Sequence, residues 1–249
     1  MKKHKLPVKA YKNQEFLNSR EARVIRILSE YLEPLKRLRD FKINNTVLFF
    51  GSARISPKNS GSKLVPYYRE AEELAFKLAK WAIELKKNGK NFVICTGGGG
   101  GFMEAANKGA SRAGGKSIGM NISLPEEQHP NQYISPELAF EFHYFFMRKF
   151  WLAYKSKAII AFPGGFGTLD EIFEILTLVQ TGKVCKDDIY IMLYGEEYWR
   201  EIIDFEALAK YKTISKEDLD LFHFSSDPEE AFLALKENLI KHLYPIDSD

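Results

Sequence analysis

The sequence predicts an α/β protein with a Rossmann-like, doubly wound and mostly parallel sheet that carries helices on both faces. Short apolar runs of strand length alternate with longer helical patterns along most of the 249 residues. Two of these runs lead into glycine-rich turns, residues 97–101 and 164–167, and a helical pattern follows each turn. The chain is also 45% hydrophobic, which is enough to build a substantial core.

The individual elements can be assigned in chain order from hydrophobic periodicity. Residues 15–40 repeat apolar side chains at a period near 3.6 and predict a helix, which Pro34 is expected to interrupt. Continuous apolar runs predict buried strands at 47–50, 92–95, 117–122, 158–162 and 189–194. Further helices are predicted at 66–87, with Gly89 as C-cap, and at 102–113, 143–157, 169–180, 196–209 and 228–242.

These assignments divide the chain into two parts. We expect an N-terminal helical extension at residues 1–45 and a single Rossmann-like nucleotide-binding domain at residues 46–249. The connection at 123–137 is long for a loop of this fold, and loops of that length tend to be functional.

Charge and cysteine usage exclude several classes of protein. The 36 basic and 33 acidic residues give a net charge of +3, so we expect no nucleic-acid partner. The five lysines among the first 12 residues are interpreted as a solvated terminus. Cys95 and Cys185 form no CxxC pair, which argues against a disulfide framework and favours a cytoplasmic protein. The chain has no apolar run of ~18 residues and no signal-peptide pattern, so we expect no membrane association.

Both glycine-rich turns are expected at the carboxyl edge of the sheet, where ligands of such folds bind. Backbone N–H groups at a helix N-terminus attract anions, and glycine lets a phosphate approach closely. Neither turn fits G-x-G-x-x-G, so a dinucleotide cofactor is disfavoured. Residues 110–117 differ from a Walker A motif by Ala110, but they lead from a helix into a strand. We expect no metal, because His129, His143 and His223 are scattered, and no serine nucleophile, because G-x-S-x-G is absent.

Glu171 allows two interpretations. Thr168 and Glu171 have the spacing of an S/T-x-x-E capping box, in which the glutamate would bond back to the threonine backbone. Alternatively, Glu171 lies one turn into a helix beside a phosphate-sized pocket, where a carboxylate could orient water or stabilise a sugar cation. The local sequence leaves both interpretations open.

The motif P-G-G-x-G-T-x-x-E is complete in Pro163, Gly164, Gly165, Gly167, Thr168 and Glu171, and Arg148-Lys149 lie on the preceding predicted helix. With this motif the chain resembles the LOG-type family of phosphoribohydrolases, which are often labelled lysine decarboxylases. The similarity covers roughly residues 46–205 and includes FGSAR at 50–54, TGGGGGFMEAANKGA at 96–110 and SIGMNISLPEEQHPN at 117–131. A decarboxylase would need a pyridoxal Schiff-base lysine with its own supporting site, and the sequence shows no such pattern.

The resemblance implies a homodimer that hydrolyses the N-glycosidic bond of a nucleoside 5′-monophosphate without cofactor or metal. It implies that Arg148 and Glu171 are the catalytic pair. The 5′-phosphate would be held by Gly164, Gly165, Gly167 and Thr168. Further substrate contacts are assigned to Gly51, Ser52, Gly98, Gly99, Met120 and Lys149.

Three questions stay open at this level. Short plant-type members, which act on cytokinin nucleotides, carry His-Glu before the arginine, whereas this chain has Phe146-Met147, so the base preference is undetermined. The aromatic residues between 145 and 151 predict that their helix, or the helix at 169–180, packs on a symmetry mate, with an internal core as the alternative. A non-catalytic nucleotide- or cofactor-binding protein, or a structural protein with a vestigial pocket, are the alternative functions.

Overall fold

The computed structural model of the chain describes residues 7–58, 61–86, 91–124 and 129–243. The helices in these residues are α1 (Gln14–Asn18), α2 (Arg23–Asp40), α3 (Val65–Lys86), α4 (Phe102–Arg112), α5 (Phe145–Tyr154), α6 (Phe166–Gln180), α7 (Glu196–Ile202), α8 (Phe205–Lys210) and α9 (Pro228–Leu243). The strands are β1 (Thr46–Phe50), β2 (Val93–Thr96), β3 (Ser117–Ile122), β4 (Ala139–Phe142), β5 (Ser156–Ala161), β6 (Tyr190–Tyr194) and β7 (His223–Ser225). The predicted cap at Gly89 and the lysines at 2, 3 and 5 lie outside the described residues.

The strands form one sheet in the order β4-β3-β2-β1-β5-β6-β7, and every neighbouring pair is parallel. The chain builds outwards from β1 to β4 in one direction and then crosses back to add β5 on the other side of β1. This reversal makes the gap between the carboxyl ends of β1 and β5 the topological switch point, where ligands of open α/β sheets bind. The predicted doubly wound fold is confirmed.

Alternate residues of the central strands supply the two apolar layers. In β1, Val47 and Phe49 pack with α3, α4 and α9, whereas Leu48 and Phe50 pack with α2, α5 and α6. Because side chains alternate across a strand, one continuous apolar run supplies both layers. None of the described helices is long and apolar enough to cross a membrane.

The N-terminal helix α2 is packed into one of these layers. Its Leu38 and the following Ile43 are buried in the same cluster as the strand residues of that face. Contrary to the prediction, Pro34 does not interrupt the helix, which runs unbroken from Arg23 to Asp40. The interruption within 15–40 lies instead between α1 and α2.

Several elements differ from the sequence prediction. The edge strands β4 and β7 were not predicted, and both are short, at four and three residues. The helix predicted at 143–157 ends at Tyr154, because β5 already begins at Ser156. The helix predicted at 196–209 is divided into α7 and α8, where the Asp204 side chain accepts a hydrogen bond from the Ala207 N–H and starts a new helix.

Candidate active site

Three loops meet at the switch point between β1 and β5. The Ser52 N–H donates to the carbonyl oxygen of Pro163 at 3.0 Å, which ties the loop after β1 to the second glycine loop. The Ser52 carbonyl accepts the Phe102 N–H at 3.1 Å, which ties it to the start of α4. Gly51 lies so close to Phe102 that an added Cβ would be 2.7 Å from the ring. The predicted residues Gly51 and Ser52 therefore join the two glycine loops into one continuous surface at the carboxyl end of the sheet.

The second glycine loop leaves the N-terminus of α6 open. Gly165 is the N-cap residue, and it has no side chain that could cap the helix. Gly165 and Gly167 are exposed, and a Cβ at either position would have no neighbour within 4 Å. The loop is anchored from below, because the Tyr198 hydroxyl donates to the Gly164 carbonyl at 2.9 Å. Free backbone N–H groups at a helix N-terminus are a suitable site for an anion.

The start of α6 decides between the two interpretations of Glu171. The helix begins at Phe166, three residues earlier than predicted, so Thr168 lies inside the first turn and is not the N-cap. The Thr168 hydroxyl is buried against Gly164, where an added Cβ would overlap it. The capping-box interpretation of Glu171 is therefore wrong, because the glutamate lies in the second turn of the helix.

Burial dominates the electrostatics of Glu171. The residue is only 9% exposed, and within the described residues its carboxylate accepts no hydrogen bond and has no cation within 4.0 Å. Burial raises the pKa of Glu171 to about 7, although the positive charges of Arg148 and Lys149 act to lower it. A carboxyl group with such a pKa is partly ionised at neutral pH and can exchange a proton there.

Arg148, on α5, reaches the same surface of joined glycine loops. Its Nε donates to the carbonyl oxygen of Met120 on β3 at 2.8 Å. Its Nη2 lies against Gly97, where an added Cβ would overlap it. Burial lowers the pKa of the guanidinium, and the negative charge of Glu171 raises it. The structure thus brings the predicted pair Arg148 and Glu171 within electrostatic reach of each other, at the junction of both glycine loops.

The side chain of Lys149 points towards α6, whereas that of Arg148 points towards the first glycine loop. Its ammonium forms ion pairs of 2.7 Å with Asp170 and with Glu174 on α6. Burial lowers the pKa of Lys149, but the hydrogen bonds to the two carboxylates outweigh that effect and raise it. Lys149 therefore joins α5 to α6, and its ammonium is already engaged by protein carboxylates.

A buried network that the sequence analysis did not single out supports the first glycine loop. Asn131, in the connection after β3, donates from its side chain to the carbonyls of Gly98 (3.2 Å) and Gly99 (3.0 Å) and to Asn107 (2.9 Å). Asn107 on α4 also accepts from the Thr96 hydroxyl at 2.7 Å, and that hydroxyl accepts the Gly98 N–H at 2.9 Å. The signal in the sequence was the polar Asn107 among the small residues Ala105, Ala106 and Gly109 of a predicted helix, and the structure shows that Asn107 is fully buried.

Gly98 needs its lack of a side chain within this network. Its φ is +78°, and an added Cβ would overlap the side-chain amide of Asn121. Asn121 is buried and donates to the Phe140 carbonyl at 3.1 Å, so it has little freedom to move away. The structure thus places Gly98 in the loop that Arg148 contacts, and Met120 contacts Arg148 through its backbone carbonyl.

Aromatic side chains are exposed beside the site. On α5, Phe145 and Phe146 are 53% and 52% exposed, and Phe166 at the start of α6 is 92% exposed. An open cleft of about 690 Å³ runs along α6 and is lined by Lys149, Phe166, Leu169, Asp170, Phe173, Glu174, Thr177 and Leu178. This cleft lies on the outer surface of α6, next to the glycine loops and not above them.

No metal centre is formed by the described part of the chain. It contains no group of three His, Cys, Asp or Glu side chains that could hold an ion. His223 stacks on Tyr190 with ring centroids 4.7 Å apart, near the amino end of β6 and away from the glycine loops.

Comparison with known proteins agrees with the motif. A family described as "Possible lysine decarboxylase" matches residues 103–235, which is more than half of the chain. The chain is 29% identical to cytokinin riboside 5′-monophosphate phosphoribohydrolase LOG1 of Arabidopsis thaliana over 166 residues, covering 66% of this chain and 68% of that protein.

Two solved structures have similar folds. The X-ray structure of TM1055, a structural-genomics target, superposes with a TM-score of 0.53 at 23% identity and covers 78% of this chain and 99% of that one. The molybdenum cofactor carrier protein of Chlamydomonas reinhardtii superposes with a TM-score of 0.52 at 22% identity, covering 80% and 99%. At these identities the likeness concerns the fold alone. The matches to the family and to LOG1, together with the complete P-G-G-x-G-T-x-x-E motif, show that the chain belongs to the LOG-type family.

Proposed function

We propose that the protein hydrolyses the N-glycosidic bond of a nucleoside 5′-monophosphate and releases the free base and ribose 5-phosphate. The observation that carries this proposal is the position of Glu171. Its buried carboxyl group, with a pKa of about 7, lies one turn behind the open helix N-terminus of residues 165–167. A phosphate bound at that N-terminus would bring a sugar ring towards the carboxyl group.

The chemistry follows from how such bonds break. The bond between C1′ and the base nitrogen lengthens, the base leaves with the electron pair, and C1′ acquires oxocarbenium character. The Glu171 carboxylate would stabilise that positive charge and accept a proton from the water that attacks C1′. That proton then passes to the nitrogen of the departed base, so that OH is added to C1′, H to the base, and Glu171 is ionised again. Arg148, fixed by its bond to the Met120 carbonyl, would bind the phosphate or ribose oxygens.

Two other activities have less support. A lysine decarboxylase would need a lysine that readily loses its proton, whereas the two carboxylates beside Lys149 raise its pKa. A non-catalytic nucleotide or cofactor carrier would not need a buried carboxyl group to which the described residues offer no partner, since burying that charge costs stability. The carrier function predicts nucleotide binding without turnover.

The side of the pocket that meets the base differs from plant-type members. At the two positions where those members carry His-Glu, Met147 is buried in the core and Phe146 is 52% exposed. The Phe146 ring offers a base no conventional hydrogen-bonding group, and Met147 offers only a weakly accepting sulfur. We therefore propose an unmodified nucleotide such as AMP as substrate, without selection for a cytokinin side chain.

We also propose that the active protein is a homodimer joined through α5 and α6. The exposed phenylalanines of both helices and the cleft along α6 form an apolar surface next to the site. Apolar patches of this kind commonly mark protein–protein interfaces, and two-fold symmetric dimers are the commonest assembly.

The proposed reaction can be tested with a panel of nucleoside monophosphates, by measuring released base chromatographically. We expect AMP to be cleaved and adenosine to be left intact. The phosphate supplies charge-assisted hydrogen bonds, each worth on the order of 1–3 kcal/mol. Turnover of adenosine at a rate comparable to AMP would contradict the role of residues 164–168, and binding of AMP without any release of base would favour the carrier function.

A further inference from the structure

Helix α2, which lies outside the matched family region of residues 103–235, contacts the segment that carries Arg148. Arg37 donates to the Ala139 carbonyl at 2.7 Å, at the start of β4, and its guanidinium covers the Phe140 ring at 4.3 Å. Tyr31 packs on Phe150 and Trp151 of α5, with ring centroids 5.7 Å apart in both pairs. The helix therefore follows β4 and α5 along their length.

The central contact of this surface is Glu30. Its two carboxylate oxygens accept the backbone N–H groups of His143 at 2.8 Å and Tyr144 at 3.2 Å. Its backbone carbonyl accepts the indole N–H of Trp151 at 2.9 Å. One residue of α2 thus binds α5 both at its N-terminus and near its C-terminal turn.

The N-terminus of α5 lacks the usual local support. Its N-cap is Tyr144, whose side chain makes no capping bond, and its first turn contains no acidic residue. Negative charge at a helix N-terminus is stabilising, and unpaired N–H groups there need acceptors. Glu30, from a distant part of the chain, supplies both the negative charge and the hydrogen-bond acceptors.

The position of α5 matters because Arg148 lies one turn from its N-terminus. The Arg148 guanidinium is largely withdrawn from water, and its Nε bond to the Met120 carbonyl is the one protein hydrogen bond that the described residues give it. A shift of the helix start would move Arg148 relative to Gly97 and Glu171. Misplacement of a catalytic group by about 1 Å can cost about 100-fold in rate.

We propose that Glu30 is a positioning residue for Arg148, and that α2 is thereby a functional part of the active site. The carboxylate holds the junction between β4 and α5, and this contact sets the place of the guanidinium over the first glycine loop. The catalytic consequence rests on the proposed function, whereas the structural consequence does not.

The first test is therefore independent of activity. The Arg148 Nε–H, bonded to the Met120 carbonyl, should give a slowly exchanging ¹⁵Nε resonance, which is assigned by its loss in Arg148→Lys. We expect this resonance to shift or to exchange faster with water in Glu30→Gln, because an amide offers only one acceptor to the two N–H groups. In the matched control Glu33→Gln, which alters an exposed pair with Arg37 one turn away, it should be unchanged. An unchanged Arg148 resonance in folded Glu30→Gln would overturn the proposal.

The second test is a double-mutant cycle on AMP turnover. We expect Glu30→Gln to lower kcat by about 10- to 100-fold, and Glu33→Gln to stay within about two-fold of the wild type. In an Arg148→Ala background, Glu30→Gln should have no further effect, because it acts through Arg148. Equal losses in both backgrounds would show a merely structural role and contradict the proposal. Absence of turnover in the wild type would contradict the proposed function alone, and the resonance of Arg148 would still decide the role of Glu30.

Discussion

Glu171 is held in a place where its charge is disfavoured. A surface glutamate would ionise well below neutral pH, but burial raises the pKa of this carboxyl group to about 7. Arg148 and Lys149 offset part of that effect without coming within 4.0 Å of it. A side chain kept for stability alone would be expected to have a hydrogen-bonded partner, and the described residues provide none. The arrangement is typical of a group that acts on something outside the protein.

Replacement of Glu171 by Gln should separate catalysis from folding. The amide keeps the shape of the side chain and removes the negative charge that an oxocarbenium-like state needs. We expect turnover of AMP to fall by about 100-fold or more, while AMP binding persists because residues 164–168 are untouched. The control is Glu174→Gln, the same substitution at a 40%-exposed side chain one turn further along, which should stay within a few-fold of the wild type. A fully active Glu171→Gln enzyme would remove the main residue of the proposed mechanism.

The pH dependence of the rate should report the ionisation of Glu171. The proposed mechanism needs the ionised form, so kcat should fall as the pH is lowered through about 7, by about tenfold per unit well below that value. The substrate phosphate also titrates with a pKa near 6, so the residual activity of Glu171→Gln is the reference. An acid limb near pH 7 that persists in that variant belongs to the substrate or to another group.

The same titration should appear in stability. The folded-state pKa of Glu171 lies above its ordinary value of 4.5, so the folded protein binds the proton more tightly than the unfolded chain. The stabilisation is fully present below pH 4.5 and is lost as the pH rises through about 7. Relative to wild type, Glu171→Gln should therefore gain on the order of 1–3 kcal/mol between pH 4.5 and pH 8. Parallel stability curves from urea unfolding at several pH values would contradict the raised pKa.

Among the elements, those with a strong local pattern were predictable and those defined by tertiary pairing were not. Continuous apolar runs located β1, β3, β5 and β6, since strands of a covered parallel sheet are buried on both faces. The edge strands β4 (Ala-Phe-Glu-Phe) and β7 (His-Phe-Ser) contain no continuous apolar run, because each keeps an exposed polar residue. The start of α6 was placed three residues late because glycines at 165 and 167 obscure helical periodicity.

The parts of the candidate site that belong to the glycine motif were predictable from the sequence. The loops after β1, β2 and β5 converge as the parallel topology requires. Asn131 and Glu30 were not identified, because each acts on backbone groups remote in sequence. The ion pairs of Lys149 with α6 were equally hidden from the motif, which assigned this residue to the substrate.

A substitution in the first turn of α6 should affect stability and substrate binding in opposite directions. Gly167 is exposed, and a Cβ there would meet nothing within 4 Å. Gly167→Ala should thus be neutral or stabilising, by up to about 1 kcal/mol, because alanine favours helix. If a phosphate sits against this turn, the added methyl should raise KM for AMP by about tenfold or more. Gly114→Ala is unsuitable as a control because its φ is +76°, but exposed Gly61 has open space, and Gly61→Ala should leave KM unchanged. An unchanged KM in Gly167→Ala would contradict a phosphate site at the N-terminus of α6.

At the scale of the whole molecule, the two helical layers differ in what they leave uncovered. The layer of α3, α4 and α9 exposes single aliphatic side chains, those of Ile83, Leu233 and Ile240. The layer of α5 and α6 instead presents Phe146, Phe166 and Phe173 to solvent. Large exposed aromatic surface next to the candidate site has a physical reason if a second copy covers it and closes the site against bulk solvent.

The proposed dimer can be tested by placing charge in this surface. Phe173 on α6 is 39% exposed and lines the cleft along that helix. Wild-type protein should sediment at twice the chain mass of 28.7 kDa at micromolar concentration, and Phe173→Glu should sediment as the single chain, because an unpaired carboxylate cannot be buried in an apolar interface. Leu233→Glu, at a 56%-exposed position of α9 in the opposite layer, is the matched control and should remain dimeric. If the site needs the second copy to close it against bulk solvent, monomeric Phe173→Glu should also lose AMP turnover while its melting temperature stays near that of the control. A wild-type chain that sediments as a monomer would contradict the proposed dimer, and the exposed aromatic surface would then not be covered by a second copy.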